Sequence, residues 1–272
     1  QLSNITGIKI KNTNNTYINT SDATATNNDL IENTIGYVNN QSIIGTRADF
    51  LAKKIQNTLS IYSNSIVSSL RPYAFAYATA LQELTLPNCS TITDYTCFYS
   101  CSNLNYINIG VNTLPQSAFY SLSNLETIIL PNCSSYVNSS VFKGCTKLIT
   151  LNANFSSITT STFNSFSSLK NINLPNCETI GSSAFYNCTN LSIVSLPKCT
   201  ELNWACFRYC TNLEEVYLDN LVTFRGITSS ISYIFGSCDK LRLAYLPKCT
   251  TLGEHAFHHC IALTSIYLPN CE

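Results

Sequence analysis

The chain has 272 residues, of which 45% are hydrophobic and only 11% charged, and its formal net charge at pH 7 is zero. Such a chain lacks the clustered Lys and Arg that bind a nucleic-acid backbone, so we expect no nucleic-acid partner. It also contains no run of about 18 apolar residues, so we expect no membrane span.

The first 46 residues carry no repeat and are rich in Asn and Thr. Short runs of β-forming residues at 8–10 and 17–18 predict strands. Three further stretches of this segment are residues 21–26 (SDATAT), 35–39 (IGYVN) and 43–46 (IIGT). Together with the lead-in at residues 59–67, they resemble a small module of tailed-bacteriophage and prophage structural proteins. The resemblance implies that residues 1–46 form a small β-rich attachment module.

Residues 47–59 predict a short amphipathic helix, because Phe50, Leu51, Ile55 and Leu59 fall on one helical face. Stacked repeats expose apolar surface at their first member, and a helix can cover it. We therefore assign residues 47–70 to a capping helix and a lead-in.

A repeat occupies the rest of the chain. Phe recurs nine times, with a Leu six residues after every Phe and a Leu or Ile eleven residues after it. The Phe column consists of Phe75, Phe98, Phe119, Phe142, Phe163, Phe185, Phe207, Phe235 and Phe257. Such a period indicates stacked structural units, because a unit of about 22 residues cannot bury its own apolar face.

Each unit combines a strand with a turn. The segment from Leu169 to Leu174 alternates apolar and polar residues over its last four positions, which predicts a short strand. The Pro that often follows ends such a strand, because it cannot donate to a ladder. The segment from Ala184 to Cys188 predicts one helical or 3₁₀ turn, with Phe and Cys three residues apart.

The sequence LPNCETIGSSAFYNCTNLSIVSLPKC at residues 174–199 closely resembles the BspA-like branch of the leucine-rich-repeat family. The resemblance runs from about residue 60 to the end. It implies an α/β solenoid of nine leucine-rich-repeat units of about 22 residues, with a parallel sheet on one face, occupying residues 71–272. Members of this branch are usually exposed on cell surfaces and used for adhesion or recognition, but the resemblance names no ligand.

Twelve of the fourteen cysteines lie in two columns of the repeat, one three residues after Phe and one after the Leu-Pro pair. In the first column Ala78, Leu122 and Phe166 replace Cys, which marks the position as a buried apolar slot. Free Cys behaves as a small hydrophobe and fits such a slot. We therefore expect free thiols, which indicate a reducing compartment, an anaerobic setting or assembly in a cytosol.

The sequence contains no arrangement typical of catalysis. We expect His255, His258 and His259 in the last unit to be exposed to solvent and not to bind zinc, since four convergent ligands are lacking. Neither a catalytic triad nor paired carboxylates have supporting context. We predict that the chain is not an enzyme and needs no metal or cofactor.

A binding face is easier to place. Positions eight and ten residues after each Phe point away from the core, and three neighbouring units place Tyr217, Tyr245 and Tyr267 there. Glu215 lies beside them. Tyr is frequent in recognition surfaces, which favours a contact site on the concave face of the solenoid, although Tyr also simply favours strands.

We therefore predict a non-enzymatic recognition, adhesion or structural protein that is extracellular, on a virion or a bacterial cell surface. The favoured form is a phage or prophage tail- or virion-associated protein. The alternatives are a secreted BspA-like adhesin and a purely structural subunit of a fibre or lattice. Expected partners are a cell-surface protein or glycan, and other virion or surface subunits through residues 1–46. Because the motif is interrupted at Glu272, we expect further sequence, a domain or a subunit to cover that end.

Overall fold

The computed structural model describes residues 60–65, 67–224 and 232–271, and the backbone of four short strands before them. The helix predicted at residues 47–59 lies outside the described residues. The chain divides into two compact units, Gln1–Cys145 and Thr146–Glu272. We refer to them as the N-terminal unit and the C-terminal unit.

Short strands dominate the N-terminal unit, because every turn of its repeat contributes one or two. They are β1 (Lys9–Lys11), β2 (Tyr17–Asn19), β3 (Gly36–Val38), β4 (Gln41–Ile43), β5 (Ile61–Ser63), β6 (Ser69–Leu70), β7 (Glu83–Leu86), β8 (Thr91–Ile92), β9 (Tyr106–Ile109), β10 (Thr113–Leu114), β11 (Thr127–Leu130) and β12 (Ser135–Tyr136). The strands β1 and β2 overlap the two runs that the sequence predicts.

The main sheet of the N-terminal unit is parallel where the repeat forms it and antiparallel at its first edge. Strands β5, β7, β9 and β11 pair in parallel. Strand β1 pairs antiparallel with β5, placing Ile10 opposite Tyr62, and β2 pairs antiparallel with β1. Residues of the predicted attachment segment thus extend the sheet of the array, whereas β3 and β4 form a separate antiparallel pair.

The C-terminal unit continues the same pattern of one longer and one shorter strand per turn. Its strands are β13 (Thr150–Ala153), β14 (Ser157–Ile158), β15 (Asn171–Asn173), β16 (Thr179–Ile180), β17 (Ile193–Ser195), β18 (Glu201–Leu202), β19 (Glu215–Tyr217), β20 (Thr223–Phe224), β21 (Leu243–Tyr245) and β22 (Ser265–Tyr267). Strands β13 and β15 pair in parallel, and so do β17, β19, β21 and β22 in that order. The predicted leucine-rich-repeat solenoid with a parallel sheet is confirmed, and its regular elements are mainly β-strands.

A second, shorter parallel ladder was not expected from the sequence. In the C-terminal unit it joins β14, β16, β18 and β20, each only two residues long. The second residue of each pair is buried, such as Ile180 and Leu202, whereas Thr179 and Glu201 before them are partly exposed. In the N-terminal unit, β6 pairs with β8 and β10 with β12 in the same way.

Stacked Phe rings form the centre of each unit. In the C-terminal unit the rings of Phe185 and Phe207 lie 5.2 Å apart and nearly parallel, at 2°. In the N-terminal unit Phe98 and Phe119 are 5.7 Å apart and tilted. All four side chains are at most 2% exposed. Full burial of a Phe side chain contributes about 1.5–3 kcal/mol to stability, so this column is a main source of it.

The segment around each Phe forms a tight turn. Two turns contain a 3₁₀ helix, at Tyr95–Phe98 and Ser139–Phe142, each begun by a side chain that accepts a backbone N–H. In the other described turns, residues two before and two after Phe have positive φ, as at Ser183 (53°) and Asn187 (59°). The prediction of a 3₁₀ turn is thus confirmed in two repeats, while the others form a turn with two left-handed residues.

Backbone hydrogen bonds join these turns in one direction. The N–H groups of Ser183, Phe185 and Asn187 donate to carbonyls of the next turn, at Trp204, Cys206 and Arg208, over 2.8–2.9 Å. The turn around Phe207 donates forward in the same way, to Ser232, Ile234 and Gly236. Side-chain amides add to this stacking, since Asn220 Nδ2 donates to the Pro197 carbonyl at 2.6 Å. Each turn therefore satisfies its polar backbone through its neighbour.

Candidate binding face of the parallel sheet

The three tyrosines singled out from the sequence lie side by side on the outward face of the C-terminal unit's sheet. The register aligns Tyr217 with Tyr245 and Tyr245 with Tyr267. The residues before the first two, Val216 and Ala244, are fully buried, so the tyrosines point away from the core. Each strand alternates between outward and buried side chains, and the parallel register aligns one outward tyrosine from each of three repeats in a row.

The rings approach one another along this row. Tyr245 and Tyr267 stack with centroids 5.0 Å apart and planes 9° apart, whereas Tyr217 and Tyr245 are tilted at 6.4 Å. Tyr267 is 49% exposed. We call Tyr217, Tyr245 and Tyr267 the tyrosine row. It offers a rigid surface that combines aromatic carbon with hydroxyl groups, at a small cost in side-chain entropy.

One end of the row carries a charged network. The Tyr217 hydroxyl donates to Glu215 Oε2 at 2.6 Å, and Arg242 Nη2 donates to Glu215 Oε1. Arg242 Nε lies 3.9 Å from Glu214 Oε2. The hydrogen bond to the Glu215 carboxylate raises the pKa of Tyr217, and desolvation adds to this effect. The network fixes the orientation of Tyr217 and places a guanidinium beside the rings.

Sequence reasoning located Glu215 and the tyrosines but missed Arg242. Arg242 lies just before a strand, at a position that the repeat pattern does not mark. Its ion pairs with Glu214 and Glu215 depend on side chains of the preceding repeat, which spacing in the sequence does not reveal. In the outward column next to the tyrosines, Leu243 lies opposite Glu215 on the adjacent strand, and Ser265 lies opposite Leu243. The face is therefore mixed, with rings, one aliphatic side chain and an ion pair.

Earlier turns of the C-terminal unit present amides at the same outward position. Asn173 Nδ2 donates to Asn152 Oδ1 at 3.0 Å across adjacent strands. Asn171 Nδ2 similarly donates to the Thr150 hydroxyl at 3.3 Å. The outward face thus changes from an amide ladder to tyrosines along the unit, which distinguishes the last three turns chemically from the first two.

The cysteines are free and the three histidines of the last turn are exposed, as the sequence predicts. All fourteen cysteines are free, and twelve of them are buried. Desolvation raises the pKa of the Cys210 thiol to about 12, so it is not an available nucleophile near neutral pH. His255, His258 and His259 are exposed. Among the described residues, no group of three or more His, Cys, Asp or Glu side chains could hold a metal ion.

A family model decides the classification. The model of the BspA type leucine-rich repeat region matches residues 48–154 and 146–264, in six copies. The chain belongs to the BspA type leucine-rich repeat family. The family is generally non-enzymatic, and its members are cell-surface proteins. Within the described part of the chain, no helix is long and apolar enough to cross a membrane.

The solved structures that this chain is similar to include several bacterial leucine-rich-repeat proteins. A leucine-rich cell surface protein from Faecalibacterium prausnitzii is 18% identical, with TM-score 0.41, covering 78% of this chain and 79% of that one. The leucine-rich repeat protein of T. pallidum is 26% identical, with TM-score 0.49, covering 57% and 73%. One from Bacteroides ovatus is 19% identical, with TM-score 0.38, covering 90% and 70%. No curated protein matches the sequence.

Proposed function

We propose that this BspA type repeat protein acts by recognition at a surface, without catalysis, and that the tyrosine row is its contact site for a protein or glycan. The observation that carries the proposal is the in-register alignment of three tyrosines on an outward sheet face, with Arg242 and Glu215 at one end. Interfaces concentrate binding energy in Tyr and Arg that are packed on rigid supports.

A triple substitution of Tyr217, Tyr245 and Tyr267 to Ser tests this site. Binding to intact bacterial cells and to an array of immobilised neutral oligosaccharides should fall by roughly tenfold or more, because the rings supply most of the contact area. Thermal unfolding should change little, since the tyrosines lie outside the core. Surface plasmon resonance and cell pull-down measure the loss.

A matched control replaces Tyr73, Tyr95 and Tyr120 with Ser. These side chains are 50%, 56% and 51% exposed and belong to the turns of the N-terminal unit. The control should bind as the unaltered chain does. If both triple variants bind equally well, the tyrosine row is not the contact site.

The biological setting is a separate part of the proposal. We infer a phage or prophage virion, in which residues 1–46 attach the chain and the repeats meet the host. The support is the sequence resemblance at residues 21–46, the lead-in at residues 59–67, and buried thiols that suit assembly in a reducing cytosol. Membership of a cell-surface family equally supports a secreted adhesin on a bacterial wall.

Antibody labelling separates these two settings. For a virion protein, the antibody label should follow phage particles through a density gradient. A variant that lacks residues 1–46 should no longer be incorporated into the particles. Label confined to the cell-wall fraction of uninfected cells would establish the adhesin instead. A uniform oligomer in native mass spectrometry, with no binding to cells or glycans, would favour a structural subunit of a fibre or lattice.

A further inference from the structure

A second cluster of side chains lies on the turns around Phe, away from the tyrosine row. The Arg208 guanidinium stacks on two rings, 4.8 Å from the centroid of Tyr209 and 4.5 Å from that of Tyr233. Arg commonly stacks on aromatic faces in this way, because the guanidinium is planar and weakly hydrated. The two rings therefore hold the cation in one orientation.

Three imidazoles continue the stack into the last turn. His255 lies on Tyr233 with centroids 4.9 Å apart and planes 8° apart. His258 meets the edge of Tyr233 at 5.5 Å, and His259 lies 4.4 Å from His258. All three imidazoles are exposed. The turn cluster consists of Arg208, Tyr209, Tyr233, His255, His258 and His259.

The Arg208 guanidinium of the cluster has hydrogen-bonding capacity that the described residues leave unused. Arg208 Nη2 donates to the Tyr209 hydroxyl at 3.2 Å, while Nε is buried and has no acceptor among the described residues. No carboxylate within the described part of the chain pairs with this guanidinium. Cations without local counter-charges create a positive potential that attracts anions.

The surroundings of His258 make the protonation of its imidazole sensitive to a bound anion. Desolvation, followed by the charges of His259, His255 and Arg208, lowers the pKa of His258. Among the described residues of the preceding turn, Tyr233 contacts the imidazoles of His255 and His258, and Arg208 of the turn before stacks on Tyr233. A bound carboxylate would oppose this effect and favour the imidazolium, so anion binding and proton uptake should be coupled.

We propose that the turn cluster binds a saccharide that carries a carboxylate. The guanidinium and the imidazoles donate to separate carboxylates of the saccharide, while ring edges and Tyr hydroxyls contact the sugar and its hydroxyls. This second site is independent of the tyrosine row and goes beyond its proposed role. Only one permanent positive charge is present, which suits isolated carboxylates among hydroxyls better than the closely spaced charges of a polyphosphate or an acidic peptide.

Binding of oligogalacturonate to the full chain tests the proposal. By isothermal titration calorimetry in low salt, affinity should rise roughly tenfold between pH 7.5 and pH 5.5, because a bound carboxylate favours the protonated form of His258. A neutral dextran oligosaccharide of equal length should not bind the cluster. A polyglutamate peptide of matched charge should bind clearly more weakly.

Two variants assign the effect to the cluster. The double change His258→Gln and His259→Asn should sharply reduce the pH dependence, and Asn tolerates the positive φ of 56° at position 259. Arg208→Lys keeps the charge but not the planar stack, and it should weaken binding several-fold at both pH values. The Tyr73→Ser and Tyr120→Ser double variant in the other unit should bind oligogalacturonate normally.

The proposal is overturned by any of three results. These are absence of oligogalacturonate binding at both pH values, equal affinity for polyglutamate, and unchanged binding by the folded histidine double variant. Because the tyrosine row is untouched in these experiments, their failure leaves the proposed surface recognition to its own test.

Discussion

In six of the nine repeats a Cys follows Phe by three residues, and this Cys does more than fill an apolar slot. Its thiol donates to the carbonyl of the Phe one turn earlier, as Cys188 Sγ does to Phe163 at 3.1 Å and Cys210 Sγ to Phe185 at 3.2 Å. Cys in the second column donates instead to a carbonyl two residues ahead, as Cys177 Sγ does to Thr179 at 3.4 Å. The residue is small and apolar yet can donate, which suits a core that contains backbone carbonyls.

These buried thiols should make the protein sensitive to alkali. Burial raises the pKa of Cys210 to about 12, whereas the thiol of an unfolded chain ionises near its ordinary pKa of about 9.0. A raised pKa in the folded state gives stability that is complete below pH 9 and is lost as the pH rises toward 12. The free energy of unfolding, measured by urea titration between pH 7.5 and pH 10.5, should therefore fall steeply above pH 9.

The variant Cys210→Ala isolates one thiol in this response. It should be less stable at pH 7.5 by about 1–3 kcal/mol, because a buried group and its hydrogen bond are lost. Above pH 9 its stability should fall less steeply than that of the unaltered chain, by up to about 1.4 kcal/mol per pH unit. Identical pH dependence in the two proteins would show that this thiol does not titrate on unfolding.

At the scale of elements, the turn around Phe is built against the usual backbone preference. An L-residue in the left-handed region costs roughly 1–2 kcal/mol, yet most of these turns contain two. The conformation persists because it directs the N–H groups toward carbonyls of the next turn, as Phe163 donates to Ala184 at 2.8 Å. The hydrogen bonds between stacked turns thus stabilise a backbone conformation that would be unfavourable in an isolated turn.

Gly144 provides a test of this geometry. It occupies the position two residues after Phe142, with φ of 91°, and a Cβ there would lie 2.9 Å from the Cα of Ser121. The variant Gly144→Ala should lose roughly 2 kcal/mol or more in thermal or urea unfolding, because both the torsion and the contact oppose a side chain.

The matched control is Ser121→Ala, at the equivalent position of the preceding turn, where φ is 61° and the side chain is exposed. Its stability should change by less than about 0.5 kcal/mol, since Ser and Ala meet the same torsional cost. Comparable losses in both variants would mean that the close approach to Ser121 is not a constraint.

The sequence predicts the structural elements whose residues recur at regular spacing, and it does not reveal those whose residues lack such spacing. The parallel strands and the Phe and Leu columns follow from regular spacing, and so does the tyrosine row. The two-residue strands such as Glu201–Leu202 are too short to show alternation. The turn cluster depends on contacts across the longest interval of the repeat, from Phe207 to Phe235, so spacing alone does not bring Arg208 onto Tyr233.

At the scale of the whole molecule, charged residues are few, so each one has a larger effect on the electrostatic potential of the surface around it. Fifteen basic and fifteen acidic residues are spread over 272 positions, and amides and hydroxyls supply much of the remaining polar surface. The C-terminal unit contains both the Arg242–Glu215 pair beside the tyrosine row and the basic turn cluster. Two differently charged sites on one unit would allow two kinds of ligand to be distinguished.

The forward hydrogen bonds between turns also bear on how such a protein changes over generations. Every regular turn of the C-terminal unit offers the same donors to the turn after it and the same acceptors to the turn before it, as Ser165 to Tyr186 and Asn187 to Arg208 illustrate. Duplication or loss of one whole turn therefore creates no junction of a new kind. Unequal recombination can alter the copy number of repeats while each ligand site evolves by substitutions confined to its own few turns.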